Sequence, residues 1–384
     1  MKRILTIVGT RPEAIKLAPV TIELARRKDA VEHILCSTAQ HRQMLDQVHN
    51  WFGITPDIDL NLMAPNQKLA DFAAKALTEV TRVIENVKPD VVLVQGDTTT
   101  AMMASLAAVM QKVEVGHIEA GLRTDSLFNP FPEELNRRVT GSVARYHFAP
   151  TQRSAAALLA ENVPADWIYV TGNTVIDALR MTLEREVTLD LPFLDNGRRL
   201  ILVTAHRRES FGAPFESLCR ALRSIADRNP DVELVYPVHL NPNVREPVGR
   251  LLAGHDRIHL IEPLSYEKFV HLMAKAYLLL TDSGGVQEEA PYLGKPALVM
   301  RENTERPEAV EAGTAKLVGT EESRIVAETE HLLADDRAYR AMARAGSPFG
   351  DGQAARRIAD VLLDPATASE LAVTNASQAL ALGR

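Results

Sequence analysis

Two carboxylates that each follow an apolar run are the residues of this sequence best suited to do chemistry. Asp97 comes shortly after the apolar run at 91–94, and Glu119 ends a second run that includes His117. Such runs are typical of strands buried on both faces, and open α/β sheets bind ligands where these strands end. Alternatively, Asp97 only caps the next helix and Glu119 is a solvated loop acid. The pairing of the two acids, with His117 and Arg123 beside them, favours a site.

The composition is that of a globular enzyme. The chain has 384 residues, which predicts two domains, and 46% hydrophobic with 24% charged residues is enough for full cores. The net charge of -7 argues against a broad nucleic-acid surface. No apolar run is long enough for a membrane span or a signal peptide, so we expect a cytoplasmic protein. Neither Cys36 nor Cys219 lies in a CxxC spacing, which argues against a disulfide framework and a zinc site.

Short β-branched runs alternate with helical patterns, which predicts parallel sheets covered by helices. The strand at 4–8 leads into GTRPEAIK, so Arg11 and Lys16 lie near the amino end of the next helix. A helix amino terminus with nearby cations suits a phosphate group, although a solvated surface helix is the alternative. This motif is not GxGxxG, so no nicotinamide-type dinucleotide is implied.

A third acid, Glu133, is expected in the same crevice. It follows the polar loop after Glu119 and opens a helix behind Pro132. The helix dipole alone favours an acid at this position. However, the loop returns the chain towards Glu119, which favours a shared site.

The alternation of strands and helices begins again after a predicted hinge at 184–197. The strand at 200–204 is followed by His206, and a later apolar strand ends at Ser283-Gly284-Gly285 with Glu289 behind it. Backbone amides at such a turn can bind a diphosphate, and an acid in the following helix can bind the two hydroxyls of a ribose. Two similar α/β domains with these turns predict a nucleotide-sugar site.

Ten ordered motifs along nearly the whole chain make it similar to the bacterial non-hydrolysing UDP-N-acetylglucosamine 2-epimerases. They are GTRPEAIK (9–16), TAQHRQMLDQV (38–48), GDTTT (96–100), GHIEAGLRT (116–124), PEELNR (132–137), TGNTVIDAL (171–179), HRRESFG (206–212), YPVHLNPNVREPV (236–248), TDSGGVQEEAP (281–291) and TERPEAVEAGT (304–314). The tail beyond about Asp364 has no match. The chain also departs from the family at Gln95, where a His is usual, so no titrating side chain is expected there.

The resemblance implies a GT-B-like fold, with two Rossmann-type doubly wound domains facing across a cleft. The domains would span residues 1–172 and 173–352, with a helical segment from about 353 to 384 packing back on the first. It also implies a homodimer that interconverts UDP-GlcNAc and UDP-ManNAc by elimination of UDP to 2-acetamidoglucal and re-addition, supplying ManNAc-type sugars for surface polysaccharide. No cofactor, metal, nucleic acid or membrane would be required.

The resemblance also implies the roles of particular residues. The proposed catalytic residues are Asp97, Glu119, Glu133, His206, Arg11 and Lys16. Apart from Glu133, these are also expected to bind substrate, together with Leu264, Phe269, Ser283, Gly284, Gly285, Glu289 and Arg306. In some family members a second UDP-GlcNAc binds as an activator, which would here involve Gln40, Gln43, Gln67 and His239. Which acid removes the C2 proton and which returns it is left open.

Three other functions remain to be distinguished. A GT-B glycosyltransferase shares the fold, but it usually needs one base rather than several acids around the donor sugar. A hydrolysing epimerase would release UDP and free ManNAc. A catalytically inactive nucleotide-sugar sensor would bind UDP without exchanging the C2 hydrogen, and the intact acids argue against it.

Overall fold

The computed structural model describes residues 1–39, 42–64, 67–124, 126–128, 130–344 and 346–373, with only the backbone at 42–44 and 195. The chain forms two compact units. The first comprises Met1–Met181 and the chain from Phe349 onward, and the second comprises Thr182–Pro348. The sequence prediction placed the domain boundaries after residues 172 and 352. No helix within the described ranges is long and apolar enough to cross a membrane.

The first unit is a parallel sheet with helices packed against it. Its described strands are β1 (Lys2–Val8), β2 (Val31–Ser37), β3 (Ile58–Asp59), β4 (Val91–Gln95), β5 (Glu114–Ile118), β6 (Tyr146–Ala149) and β7 (Ile168–Val170). Its described helices up to the boundary are α1 (Arg11–Arg26), α2 (Arg42–Phe52), α3 (Leu69–Val87), α4 (Thr99–Met110), α5 (Glu133–Val143), α6 (Gln152–Ala160) and α7 (Thr174–Leu183), which crosses the boundary. The strand order is β3-β2-β1-β4-β5-β6-β7, and every pair is parallel.

The strand order of this sheet reverses direction between β1 and β4. The loops that follow these two central strands therefore leave a crevice at the carboxyl edge, where doubly wound folds bind ligands. Close packing in this crevice requires a glycine. A Cβ added at Gly9 would lie 2.3 Å from Oγ1 of Thr100 and 2.7 Å from Oγ1 of Thr38. The strand predicted at 4–8 is confirmed as part of β1.

The second unit repeats this architecture with a six-stranded parallel sheet. Its described strands are β8 (Arg199–Thr204), β9 (Val232–Pro237), β10 (Ile258–Ile261), β11 (Leu278–Thr281), β12 (Ala297–Val299) and β13 (Ala315–Leu317). Its described helices are α8 (Ala213–Arg228), α9 (Pro242–Leu252), α10 (Tyr266–Lys275), α11 (Gly284–Tyr292), α12 (Pro307–Glu311), α13 (Glu322–Ala334) and α14 (Asp336–Arg344). The order β10-β9-β8-β11-β12-β13 places the reversal between β8 and β11. The segment predicted as a hinge, 184–197, belongs to this unit, and its Phe193 ring stacks on His259 at 3.8 Å.

The last described helices, α15 (Ala354–Leu363) and α16 (Pro365–Leu371), belong to the first unit. The buried carboxylate of Asp177 accepts hydrogen bonds from the amides of Ala354 and Ala355 at 3.1 and 2.9 Å, which caps α15. Burial raises the pKa of Asp177 to about 6. An ion pair of 2.6 Å between Arg27 and Asp360 joins α1 to α15. Residues 374–384 of the predicted C-terminal segment lie outside the described residues.

Candidate active site

Glu119 lies at the centre of a polar cluster in the first unit. Its carboxylate accepts two hydrogen bonds from Nζ of Lys16, at 2.6 and 2.7 Å. The amide of Gln95 donates to Oε2, and the amide of Asn173 donates to Oε1 at 3.3 Å. Only 6% of Glu119 is exposed, so the alternative of a solvated loop acid is wrong.

The sheet register places this cluster. Gln95 is the last residue of β4 and pairs with Ile118, the last residue of β5, so the residue after β5 lies beside the end of β4. Glu119 has a φ of 66°, in the left-handed region that non-glycine residues rarely adopt. A strained backbone persists only where its surroundings fix it, and functional sites collect such residues. The contacts from Lys16, Gln95 and Asn173 supply that constraint here.

Asp97 lies beside a buried arginine. Nη1 of Arg137 donates to Oδ2 of Asp97 at 2.6 Å, and the amide of Asn136 donates to the Asp97 carbonyl at 2.8 Å. The Asp97 side chain keeps 33% of its surface exposed, whereas Arg137 keeps only 6%. The helix cap is Thr98, whose hydroxyl accepts from the amide of Ala101 at 3.0 Å. The alternative that Asp97 itself caps α4 is therefore wrong, and its carboxylate is positioned for another purpose.

Glu133 and its neighbour Glu134 have different surroundings. Glu133 begins α5 and is half-buried, and its Oε2 atom is buried without a hydrogen-bond partner among the described residues. Glu134 is fully buried and pairs with Arg137 at 2.9 Å and with Arg138 at 2.8 Å. Glu134 thus fixes the arginine that holds Asp97, while Glu133 keeps an oxygen that a ligand could use.

Another buried acid, Glu13, connects the loops after β1 and β4. Its Oε2 accepts from the backbone amides of Gly9 and Thr10, at 3.2 and 2.7 Å, and its Oε1 accepts from the Thr98 hydroxyl at 2.8 Å. Burial raises the pKa of Glu13 to about 7, against these hydrogen bonds, which lower it. Arg11 stands half-buried in the first turn of the same helix. Glu13 therefore ties the loop that carries Arg11 to the loop that carries Asp97.

The two residues that lie beside the acids in the sequence, His117 and Arg123, have structural roles. The His117 ring is buried and bonds through Nε2 to the carbonyl of Gly96 at 2.8 Å. Burial lowers the pKa of His117 to about 4, which keeps the ring neutral near pH 7. Arg123 forms a two-fold hydrogen bond with Glu161, at 2.7 Å for each pair.

In the second unit, the predicted turn lies where the strand order reverses. Ser283 is the N-cap residue of α11, and Gly284 and Gly285 open the helix, so backbone amides collect at the end of β11. A Cβ added at Gly284 would lie 3.9 Å from the guanidinium groups of both Arg207 and Arg306. The turn thus combines amides with two nearby cations, a combination that suits an anionic group.

His206 follows β8, the strand next to β11. Its ring stacks on His239 with the centroids 5.2 Å apart and the planes at 8°. Its Nδ1 atom lies 3.5 Å from Oδ1 of the buried Asp282. Partial burial lowers the pKa of His206, as do His239 and Arg207, whereas Asp282 raises it.

The remaining predicted substrate residues surround the same edge of the second sheet. Arg306 donates through Nε to Glu288, and Glu289 is buried with 6% exposed. Leu264 precedes α10, and Phe269 lies on its first turn, where both are half-buried. The geometry places these residues at the expected edge, and their roles as ligands stay predictions.

The four residues predicted to bind an activator are only partly described. Gln40 and the side chain of Gln43 lie outside the described residues. Gln67 accepts from the amide of Ala64 at 3.1 Å in the first unit. His239 is exposed in the second unit and accepts from the amide of Asn241 at 3.1 Å. Activator binding stays a prediction.

Sequence reasoning assigned no role to five residues that support the predicted side chains. These residues are Glu13, Gln95, Arg137, Asn173 and Asp282. The spacing of Arg137, one helical turn after Glu133, was a usable signal, because residues four apart share a helix face. Asn173 had no local signal, because it is far in sequence from its partner Glu119.

The first sheet has acids where its strand order reverses, and the second sheet has an amide-rich turn at the corresponding position. Features of this kind are typical of enzymes that act on nucleotide sugars. Comparison with known proteins then gives the family of this chain. The family model for UDP-N-acetylglucosamine 2-epimerase matches residues 23–363. The chain belongs to this family.

Individual relatives cover nearly the whole chain. A protein of Ralstonia nicotianae named probable UDP-N-acetylglucosamine 2-epimerase is 58% identical, over 93% of this chain and 98% of its own length. The UDP-N-acetylglucosamine 2-epimerase of Salmonella typhimurium is 54% identical, over 94% and 98%. The crystal structure of UDP-GlcNAc 2-epimerase from Neisseria meningitidis, bound to UDP-GlcNAc, is 49% identical with a TM-score of 0.89, over 94% of this chain and 99% of that one. The expected family and GT-B-like fold class are confirmed.

Proposed function

We propose that this enzyme interconverts UDP-GlcNAc and UDP-ManNAc by eliminating UDP and adding it back, without net hydrolysis. The observation that carries the proposal is the Glu119 cluster. A buried carboxylate is held in a strained backbone conformation at the ligand-binding edge by one cation and two amides. Such pre-organisation is typical of groups that act on a developing charge or a proton.

The chemistry requires a carboxylate set of this kind. The C2 proton of the sugar is not acidic until the bond between C1 and the diphosphate oxygen weakens. UDP then leaves with the electron pair of that bond, a carboxylate takes the C2 proton, and the C1–C2 double bond of 2-acetamidoglucal forms. Protonation of C2 from the opposite face and return of UDP to C1 complete the epimerisation. Asp97, Glu119 and Glu133 are the acids we assign to this proton transfer and charge stabilisation.

The cations and amides are assigned to the leaving group. Arg11, His206 and Arg306 supply positive charge, and the amides at 283–285 supply backbone donors. The contact between Lys16 and both oxygens of Glu119 adds a second task for Lys16, since it also fixes that acid. Glu289 is assigned to the ribose hydroxyls, and Leu264 and Phe269 to the nucleoside. The Neisseria relative, solved with UDP-GlcNAc, supports this class of substrate.

The test is incubation of UDP-GlcNAc with the enzyme in D₂O, without added metal or dinucleotide, followed by proton NMR. We expect UDP-ManNAc to appear with deuterium at C2, while UDP stays bound to sugar. Stoichiometric free UDP with free ManNAc would instead show a hydrolysing enzyme. UDP binding without any C2 exchange would show an inactive sensor.

Two variants sharpen this experiment. Glu119→Gln keeps the size of the side chain but cannot accept a proton, so exchange at C2 should fall by about 10²-fold. Glu161→Gln is the matched control, because the Glu161 side chain accepts only from Arg123 among the hydrogen bonds described for it and takes no part in the proposed chemistry. Equal loss in both variants would contradict a chemical role for Glu119.

The proposal also includes the assembly, regulation and setting of the enzyme. We propose a cytoplasmic homodimer whose product serves surface polysaccharide, with Gln40, Gln43, Gln67 and His239 binding an activating UDP-GlcNAc. Light scattering at micromolar concentration tests the dimer. Activation is tested by starting from UDP-ManNAc alone. An enzyme that requires UDP-GlcNAc as an activator should convert UDP-ManNAc slowly until UDP-GlcNAc is added.

A further inference from the structure

Asp282 is a buried carboxylate that the proposed chemistry does not use. It directly follows β11 and is 1% exposed. Its Oδ2 atom accepts the backbone amides of His206 and Arg207, at 2.6 and 2.7 Å. Its own amide donates to the carbonyl of Thr204 at 2.9 Å. These bonds fasten the loop after β8 to the end of β11, at the reversal point of the second sheet.

The other carboxylate oxygen is unsatisfied. Oδ1 of Asp282 is buried without a hydrogen-bond partner among the described residues. A buried polar atom in this state costs free energy comparable to a lost hydrogen bond. Nδ1 of His206 lies 3.5 Å from this oxygen, just beyond the usual range for a hydrogen bond. A small rotation of the imidazole would therefore satisfy Oδ1, provided that Nδ1 carries a hydrogen.

A hydrogen on Nδ1 decides what the rest of the ring can do. In the neutral ring, a proton on Nδ1 leaves Nε2 as an acceptor, which would repel a diphosphate oxygen. Only the imidazolium donates from both nitrogens, to the carboxylate on one side and to an anion on the other. Carboxylates that orient a histidine in this way also stabilise its charged form.

We propose that Asp282 is a positioning residue that holds His206 with Nδ1–H towards its carboxylate, so that the imidazolium donates from Nε2 to the departing diphosphate. This inference rests on the proposed function, since it takes the diphosphate as the anion. It assigns a role to a side chain that touches no substrate and acts through His206.

The groups around His206 have opposite effects on its pKa. Partial burial, His239 after β9 and Arg207 in the same loop all lower the pKa of His206, and Asp282 raises it. The lowered pKa favours the neutral ring in the absence of substrate. The negative charges of Asp282 and of a bound diphosphate favour the protonated ring. Loss of the Asp282 charge should leave the remaining groups to depress the pKa of His206 further.

Asp282→Asn is the diagnostic variant. Its side-chain oxygen can still accept the amides of His206 and Arg207, but its NH₂ group then faces Nδ1 and favours a ring without a proton there. We expect the alkaline limb of the kcat/KM profile for epimerisation to move to lower pH by about one unit. Activity above that limb should fall about tenfold, while activity well below it stays near that of the parent.

The matched control is Asp177→Asn. Asp177 is likewise a buried aspartate that accepts two backbone amides, but no histidine is among its described hydrogen-bond partners. Its replacement should affect stability without moving the alkaline limb. In a His206→Gln background, Asp282→Asn should have no further effect on the profile. An unmoved limb in Asp282→Asn, or an equal shift in Asp177→Asn, would overturn the inference.

Nitrogen NMR of the full-length enzyme tests the pairing of Asp282 with His206 even if Asp282→Asn does not fold. The ¹⁵N signals of His206, assigned with His206→Gln, report which ring nitrogens carry protons. With saturating UDP at pH 7, protons on both nitrogens support the pair, and an unprotonated Nδ1 overturns it. This measurement does not depend on turnover. If no UDP-ManNAc forms, the proposed function fails, while the NMR result still decides the pairing of Asp282 with His206.

Discussion

Replacing Lys16 by Met should lower the free energy of unfolding of the first unit, because it removes the positive charge that pairs with the buried carboxylate of Glu119. The Lys16 side chain is 14% exposed and that of Glu119 only 4%, and the ammonium contacts both carboxylate oxygens. Methionine has a similar length but carries no charge. The amides of Gln95 and Asn173 stay in place, but they have no formal charge to offset that of Glu119.

The size of the effect follows from burial. Removing one partner of a buried ion pair costs about 3–5 kcal/mol, because the other charge stays desolvated. An exposed pair contributes only about 0–1 kcal/mol. Arg82 and Glu79 form such a pair in the same unit, with side chains 65% and 30% exposed, so Arg82→Met is the matched control.

Tryptophan fluorescence during urea unfolding can measure this difference. The chain contains two tryptophans, Trp51 and Trp167, and both belong to the first unit. Lys16→Met should lower the free energy of unfolding by about 3–5 kcal/mol, and Arg82→Met by less than about 1 kcal/mol.

A double variant shows whether the Glu119 charge is the cause. Lys16→Met combined with Glu119→Gln removes the carboxylate that the lysine would otherwise leave buried without its positive charge. We expect it to regain at least half of the lost stability, as a double-mutant cycle measures. The reasoning is refuted if Lys16→Met costs no more than Arg82→Met, or if the second change adds to the first instead of offsetting it.

Three further predictions concern other parts of the two units. Arg137→Gln should lower kcat by at least about tenfold with little change in UDP affinity, because Asp97 loses the guanidinium that positions it; steady-state kinetics and calorimetry with UDP check this. Glu13 has a pKa raised to about 7 from 4.5 by burial, so the folded state holds a proton that the unfolded state releases, and its contribution to stability is lost as pH rises through this window. As the pH rises from 4.5 to 8, the free energy of unfolding of Glu13→Gln should therefore increase relative to that of the parent by on the order of 3 kcal/mol. Urea unfolding of both proteins at several pH values measures this difference, and a difference that stays constant would contradict the prediction. Arg306→Ala should raise KM and release UDP and 2-acetamidoglucal during long incubations, as mass spectrometry would show; continued epimerisation without such release would remove Arg306 from the leaving-group site.

The sequence predicted the strands and the residues at their ends because both signals are local. Apolar runs marked β4 and β5, and the polar residue types after them marked Asp97 and Glu119. The parallel arrangement then implied that the two acids share an edge. The same reasoning found His206 and the turn at 283–285 in the second unit.

The partners of these residues could not be predicted in the same way. Asn173 is separated from Glu119 by several elements, and Lys16 reaches Glu119 from the first helix of the chain. Such contacts depend on the packing of helices on the sheet, which sequence periodicity does not determine. The sequence therefore assigned Lys16 to the diphosphate and missed its bond to an acid.

His117 shows how residue type can mislead. A histidine two residues before a candidate acid favours a shared site in the sequence, but strand alternation turns the two side chains to the same face only if the backbone stays extended. Glu119 instead has a φ of 66°, which redirects its side chain, while His117 bonds to the carbonyl of Gly96. The backbone turn thus separates a structural histidine from a candidate catalytic acid.

The candidate acids Glu119 and Asp97 are held by cationic and amide side chains. Lys16 and Arg137 hold Glu119 and Asp97 through positive charges. Gln95 stands where family members usually have a histidine, and its amide donates to Glu119 without any proton to gain or lose near neutral pH. Because neither Arg137 nor Gln95 titrates near neutral pH, we expect a carboxylate to carry the proton that the proposed reaction moves. Glu133 has a buried oxygen without a hydrogen-bond partner among the described residues, so a proton added at that atom would break no hydrogen bond described there.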